Sequence, residues 1–173
     1  MQINNKDILI REETQHDATL LTTWWNDGKI MAHAGFPHGI HTSVEEVIQQ
    51  LITDNKKRLI IEYQHQPIGE MCYFFHGSHC VEIGIKICVL NLQNHGLGKQ
   101  ALKLLISYLF SKGYKRIILS TDLSNKRAQH VYETLGFQIY DIQYNYWQDP
   151  QGQMHSAIFY ELFPSTFIST KKL

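Results

Sequence analysis

The tightest constraint on this chain is a strand that runs into a glycine loop, which in turn opens a helix. Val81, Ile83, Ile85, Ile87 and Val89 alternate strictly, the period of a strand with one buried face. Leu90-Asn91-Leu92-Gln93-Asn94-His95-Gly96-Leu97-Gly98-Lys99 follows. From residue 97 to 112 the period becomes helical, with Ala101, Leu102, Leu105, Ile106 and Leu109 on one stripe. The first turn of a helix leaves backbone N–H groups free, and its dipole favours an anion. Glycines let phosphate oxygens approach those donors without a Cβ in the way. Two other phosphate loops do not fit. Gly98-Lys99-Gln100 lacks the Ser or Thr that a Walker A loop needs after its lysine. The dinucleotide fingerprint would put Ala101 at its third glycine, and its βα unit belongs early in a run of parallel units.

The rest of the chain reads as alternating elements. Residues 8–11 are a strand. Asp17 is placed to cap a helix carrying Ala18, Leu20, Leu21, Trp24 and Trp25, with Gly28 at its end. Residues 31–41 read as a loop. Ser43 and Glu46 form a capping-box pattern for a helix with Val44, Val47, Ile48, Leu51 and Ile52 on one face. Strands follow at 58–63 and 68–75, with a turn at Gln66-Pro67, and a third at 80–89. After the helix at 97–112, capped by Gly113, come a strand at 115–121 and a helix at 125–135 stopped by Gly136. Two long strands, 137–147 and 154–163, turn at Gly152. The order β-α-α-β-β-β-α-β-α-β-β predicts an α/β fold: a mixed, mostly antiparallel sheet with helices on both faces. One domain spans 1–164, and 165–173 reads as a frayed tail.

Composition removes several functions. Sixteen basic residues balance sixteen acidic ones, so no field gathers nucleic acid or an anionic membrane. No run approaches the roughly 18 apolar residues of a membrane span, and the N-terminus lacks a signal peptide's apolar region. Cys72, Cys80 and Cys88 form no metal-ligand spacing and read as reduced buried thiols. His33, His38 and His41 are irregularly spaced, so no metal is expected. A cytoplasmic location follows from these readings.

Two motifs carry a resemblance. Gln93-x-x-Gly96-x-Gly98, between a strand and a helix, resembles the Q/R-x-x-G-x-G/A motif of the GNAT N-acetyltransferase superfamily. Asn125-Lys126-Arg127-Ala128-Gln129-His130-Val131-Tyr132-Glu133-Thr134-Leu135-Gly136-Phe137 resembles that family's N-x-x-A-x-x-x-Y-x-x-x-G-F segment. The resemblance implies the GNAT fold and direct transfer of acetyl from acetyl-CoA to an amine, without a metal. It implies that Gln93, Asn94, Gly96, Leu97, Gly98 and Lys99 bind the pyrophosphate. The backbone of Lys86, Ile87 and Val89, with Asn125, would bind the pantetheine and the acetyl carbonyl. Tyr132 would donate to the departing thiolate. Glu82 would serve as base, with Glu70 the weaker candidate. A homodimer through the C-terminal strands is a family-level expectation. The alternative is a non-catalytic acyl-CoA sensor or scaffold.

The acceptor site is the least marked. Trp25, Asn26, Phe36 and His38 lie in an aromatic, Gly-rich segment between the first two helices and are the candidate wall. Protein N-termini are one acceptor class, which the chain resembles in its W-x-x-D helix end at Trp24 and Asp27. Aminoglycosides, polyamines and amino acids are others. A polycationic acceptor needs an acidic site, for which Asp27, Glu70, Glu82, Asp141, Asp149 and Glu161 are available.

Overall fold

The computed structural model of the chain describes residues 1–169. The eight strands are β1 (Gln2–Asn4), β2 (Ile8–Glu12), β3 (Lys57–Tyr63), β4 (Gln66–His76), β5 (Cys80–Ile87), β6 (Arg116–Asp122), β7 (Gln138–Gln148) and β8 (Met154–Leu162). They form one sheet in the order β1-β2-β3-β4-β5-β6-β8-β7. The helices are α1 (Ala18–Asn26), α2 (Gly28–Met31), α3 (Val44–Thr53), α4 (Leu97–Ser111) and α5 (Lys126–Thr134).

Strand alternation divides the core in two. Leu59 and Ile61 of β3 point to one side, where α4 lays Ala101, Leu105, Ile106 and Leu109 on the sheet and α5 adds Tyr132 and Leu135. Ile60 points to the other, toward Leu21, Trp24 and Trp25 of α1, Ile30 of α2 and Val47 of α3. Each fully buried Leu or Ile contributes about 1.5–3 kcal/mol. The helices therefore cover both faces, as the pattern predicted.

One pairing sets up the site. Every neighbouring pair of strands is antiparallel except β5 and β6, which run parallel and pair only at residues 80–82 with 116–118. Beyond that, β6 continues along β8 to Asp122, while β5 continues along β4 to Ile87. The two strands diverge, and residues 83–87 lose their partner on the β6 side.

Several local expectations change. The β3–β4 turn sits at Gln64 and His65, both left-handed at φ 51° and 63°, so Gln66 already belongs to β4. Asp17 places no side-chain cap on α1; its carboxylate pairs with Arg11 at 2.8 Å and accepts from the Thr14 N–H at 2.8 Å. Gly28 starts a second short helix, because Asp27 accepts from the N–H groups of Lys29 and Ile30 and caps it. The Ser43–Glu46 capping box forms as read, but Ile52 at the far end of α3 is 59% exposed. Residues 165–169 are not frayed: the Ile168 N–H donates to the Leu135 carbonyl at 3.0 Å, and Phe167 packs on Phe110. The tail's two lysines, Lys171 and Lys172, lie outside the described residues.

Candidate active site

The divergence of β5 and β6 opens a cleft of about 640 Å³. Backbone polar groups on the free side of residues 83–87 have no strand to bond, which leaves those not taken by the Gln93 side chain available to a ligand. The loop after β5 leaves the sheet at a bulge. The N–H groups of Cys88 and Val89 both donate to the Ile68 carbonyl, at 2.8 and 3.1 Å, which turns the chain out of the sheet. A 3-10 turn at Leu90–Leu92 follows, and the backbone becomes left-handed at Asn94 and Gly96, φ 66° and 77°. Gly96 suits that conformation, which costs other residues energy.

The start of α4 differs from those of α2, α3 and α5; α1, which continues directly from a 3-10 turn, has no side-chain cap either. Ser43, Asp27 and Asn125 cap α3, α2 and α5 with side-chain oxygens, whereas no side chain caps α4. Its first-turn donors are left for an anion. Gln93 ties the loop down: its Nε2 donates to the Ile87 carbonyl at 2.9 Å, and its Oε1 accepts from Arg127 Nη1 at 3.0 Å. Arg127 also reaches Asn94 Oδ1, at 3.4 Å.

Lys86, Ile87, Gln93, Asn94, Gly96, Leu97, Gly98, Lys99, Asn125 and Tyr132 all line this one cleft. Asn125 Oδ1 also caps its own helix through the Ala128 N–H at 3.2 Å. Tyr132 is 8% exposed, packed edge-on against Tyr160 with centroids 5.8 Å apart. Burial pushes its phenol up to about 12.

Other nominated residues lie elsewhere. Val89 sits in the bulge and does not line the cleft. Trp25 is 4% exposed and donates its indole N–H to Glu70 at 2.9 Å. Asn26 makes a pair of 2.8 Å bonds to the Thr42 backbone, holding the loop closed. Phe36 packs on the second core, and His38 is exposed in the loop beyond the cleft lining. Most of the aromatic segment is core and staple rather than cleft wall. The wall itself is Lys29, Ile30, His33 and Ala34, from α2 and the 3-10 turn at Ala32–Ala34.

Glu82 is the last residue of β5 paired with β6, and its carboxylate lies 2.9 Å from His76 Nε2. It lies beside the cleft rather than in its lining. The six nominated carboxylates do not converge. Asp27 caps α2, Glu70 is bound by Lys86 and Trp25, Asp149 pairs with His155, Glu161 with Arg116, and Asp141 bonds Gln143. Among the described residues no group of His, Cys, Asp and Glu is arranged to hold a metal ion, and no helix is long and apolar enough to cross a membrane.

Arg127, Ser120 and Thr121 also line the cleft and were not singled out from sequence. Arg127 did leave a signal. Lys126 and Arg127 fill the first turn of α5, where the helix dipole disfavours cations. A cation placed against that field has some other partner.

The fold is shared with many solved structures. One is RimL, the ribosomal L7/L12 alpha-N-protein acetyltransferase, in complex with coenzyme A: TM-score 0.84 and 15% identity over 94% of this chain and 98% of that one. Another is a ribosomal-protein-alanine N-acetyltransferase from Brucella melitensis, with TM-score 0.74 and 20% identity over 89% and 98%. A third is a GNAT-family acetyltransferase from Streptococcus pneumoniae, with TM-score 0.70 and 22% identity over 91% and 99%. At these identities the likeness is one of fold. No curated protein matches the chain. The family model of the GNAT acetyltransferases matches residues 36–137, more than half of the sequence, and takes in the cleft from β5 to α5 but not its wall at Lys29, Ile30, His33 and Ala34. The chain belongs to the GNAT acetyltransferase family.

Proposed function

We infer that this protein transfers acetyl from acetyl-CoA directly to an amine, on a small molecule or a protein N-terminus. The observation that carries this is the convergence on one cleft of three features: the uncapped start of α4, the unpaired edge of β5 and the hydroxyl of Tyr132. An elongated ligand with a diphosphate at one end and an amide-rich arm fits that order of groups.

The substrate brings the thioester; the chain supplies the rest. The free N–H groups of Leu97, Gly98 and Lys99, with the Lys99 and Arg127 side chains, hold the diphosphate. A β5 N–H donates to the acetyl carbonyl as negative charge grows there. Tyr132 donates to the sulfur as the C–S bond breaks and the C–N bond forms. Glu82 receives the proton lost by the amine through an intervening water and passes it to solvent by way of His76.

The direct test is to incubate the protein with acetyl-CoA and a panel of amines and follow free thiol. Amine-dependent release is the expected result. Tight coenzyme binding with no release for any amine would leave an acyl-CoA sensor in its place. For the base, Glu82→Gln should shift the pH-rate profile upward, because only amine that is already neutral can then react. An unaltered profile removes Glu82 from that role.

A further inference from the structure

The cleft lining among the described residues includes five residues whose side chains carry or can carry positive charge and no Asp or Glu. Lys99 and Arg127 belong to the loop end, where Arg127 is bonded to Gln93 and Asn94. The phosphates of the coenzyme account for those two. Lys29, His33 and Lys86 belong to a different wall. Lys29 and His33 come from α2 and the turn after it, and Lys86 Nζ reaches α2 at the Met31 sulfur, 2.9 Å away.

Lys86 is incompletely bonded. An ammonium has three N–H donors. One is directed at Glu70 Oε1 at 3.1 Å and one at the Met31 thioether, a weak acceptor. The side chain keeps 24% exposure and lines the cleft, so its remaining donor capacity faces the ligand space. Glu70 offsets the charge of Lys86, so the net positive charge of this wall comes from Lys29 and from His33 in its protonated form, while Lys86 contributes a free donor.

Taking the transfer reading as given, we propose that the acceptor is an amine that also carries a carboxylate, a free amino acid or a close relative. Lys29 and His33, which have no ion-pair partner among the described residues, receive the carboxylate, and the free donor of Lys86 serves the same wall. The same cations assist the chemistry, since nearby positive charge favours the neutral form of an amine, the form that attacks. A polycationic acceptor meets the opposite situation. Its extra ammonium groups face Lys29 and Lys86, and the carboxylates that would welcome them are engaged elsewhere.

The test compares kcat/KM for a panel of free amino acids, each against its own carboxamide, with spermidine and an acidic peptide alongside. At least one free amino acid should exceed its carboxamide by about tenfold or more, the scale of a lost charge-assisted hydrogen bond. The double variant Lys29→Gln, His33→Gln should reduce that ratio severalfold and leave the KM for acetyl-CoA unchanged. Neither residue makes an ion pair among the described residues, so this variant should fold normally. Carboxamides or spermidine used as well as free amino acids would overturn the proposal alone. So would an acidic peptide preferred to every amino acid. Absence of thiol release with any amine would remove the transfer reading, and this one with it.

Discussion

Replacing Tyr132 by Phe should lower kcat by roughly 10- to 100-fold, the range spanned by a charge-assisted hydrogen bond and a weak general acid. The KM for acetyl-CoA should stay within about twofold, since a hydroxyl that acts on the leaving sulfur contributes little to ground-state binding. Stability should hardly change. The ring packs against Phe137 and Tyr160, and Phe keeps that packing. The hydroxyl makes no hydrogen bond among the described residues, whereas the neighbouring Tyr160 hydroxyl donates to Glu133 at 3.0 Å. With its phenol pushed up to about 12, Tyr132 stays protonated throughout the neutral range. It is therefore always a donor there. Full proton transfer to a thiolate of ordinary pKa, about 8.5, would be uphill. A hydrogen bond to the developing negative charge is the role that fits. It follows that the loss in kcat should be the same at pH 7 as at pH 9, which pH-rate profiles of both proteins would show. Unchanged kcat in the variant would remove Tyr132 from the reaction.

The loop end of this cleft was legible in the sequence because its determinants are local: Gln93, Gly96 and Gly98 belong to one continuous stretch between β5 and α4, and all three line the cleft. The helix starts at Ser43 and Asn125 were legible for the same reason, each cap reaching only three residues along the chain. Asp17 shows where that logic fails. It has the right type and position for a cap on α1, but Arg11 from β2 competes for its carboxylate and wins. The segment from Trp25 to His38 was less legible. Trp25 and Phe36 look like binding residues by type, yet aromatics offer the most area to bury, and the α1–α3 layer uses them to cover Ile60 and Cys88. What faces the cleft was decided by how α2 leans over the splayed strands, which no local pattern encodes. Lys86 illustrates the point. It could be placed on β5 from its alternation, but its pairing with Glu70 depends on strand register between β4 and β5.

A larger effect on stability is expected at Gly136, where Ala should cost about 3 kcal/mol or more, from a left-handed backbone penalty of ~1–2 and overpacking of ~1–3. In a chain of this size that lowers Tm by on the order of 10 °C. Gly136 sits at φ 95°, and its N–H donates to the Glu133 carbonyl at 3.0 Å while the Phe137 N–H donates to Tyr132 at 3.2 Å. These two bonds form the Schellman end of α5. A Cβ here would lie 1.9 Å from the Thr166 carbonyl oxygen. That oxygen cannot simply retreat, because the Thr166 N–H is bonded to Phe163 and the Ile168 N–H to Leu135. Gly113 supplies the control. It caps α4 at φ 93°, but a Cβ there meets nothing within 4 Å. Gly113→Ala should therefore show the backbone penalty alone, about 1–2 kcal/mol. If thermal unfolding found the two variants equally destabilised, the packing of the C-terminal segment over α5 would not be what demands glycine at 136. If Gly136→Ala is much the worse, the glycine that marks the second motif is there to let residues 163–168 lock the end of the helix that carries Tyr132.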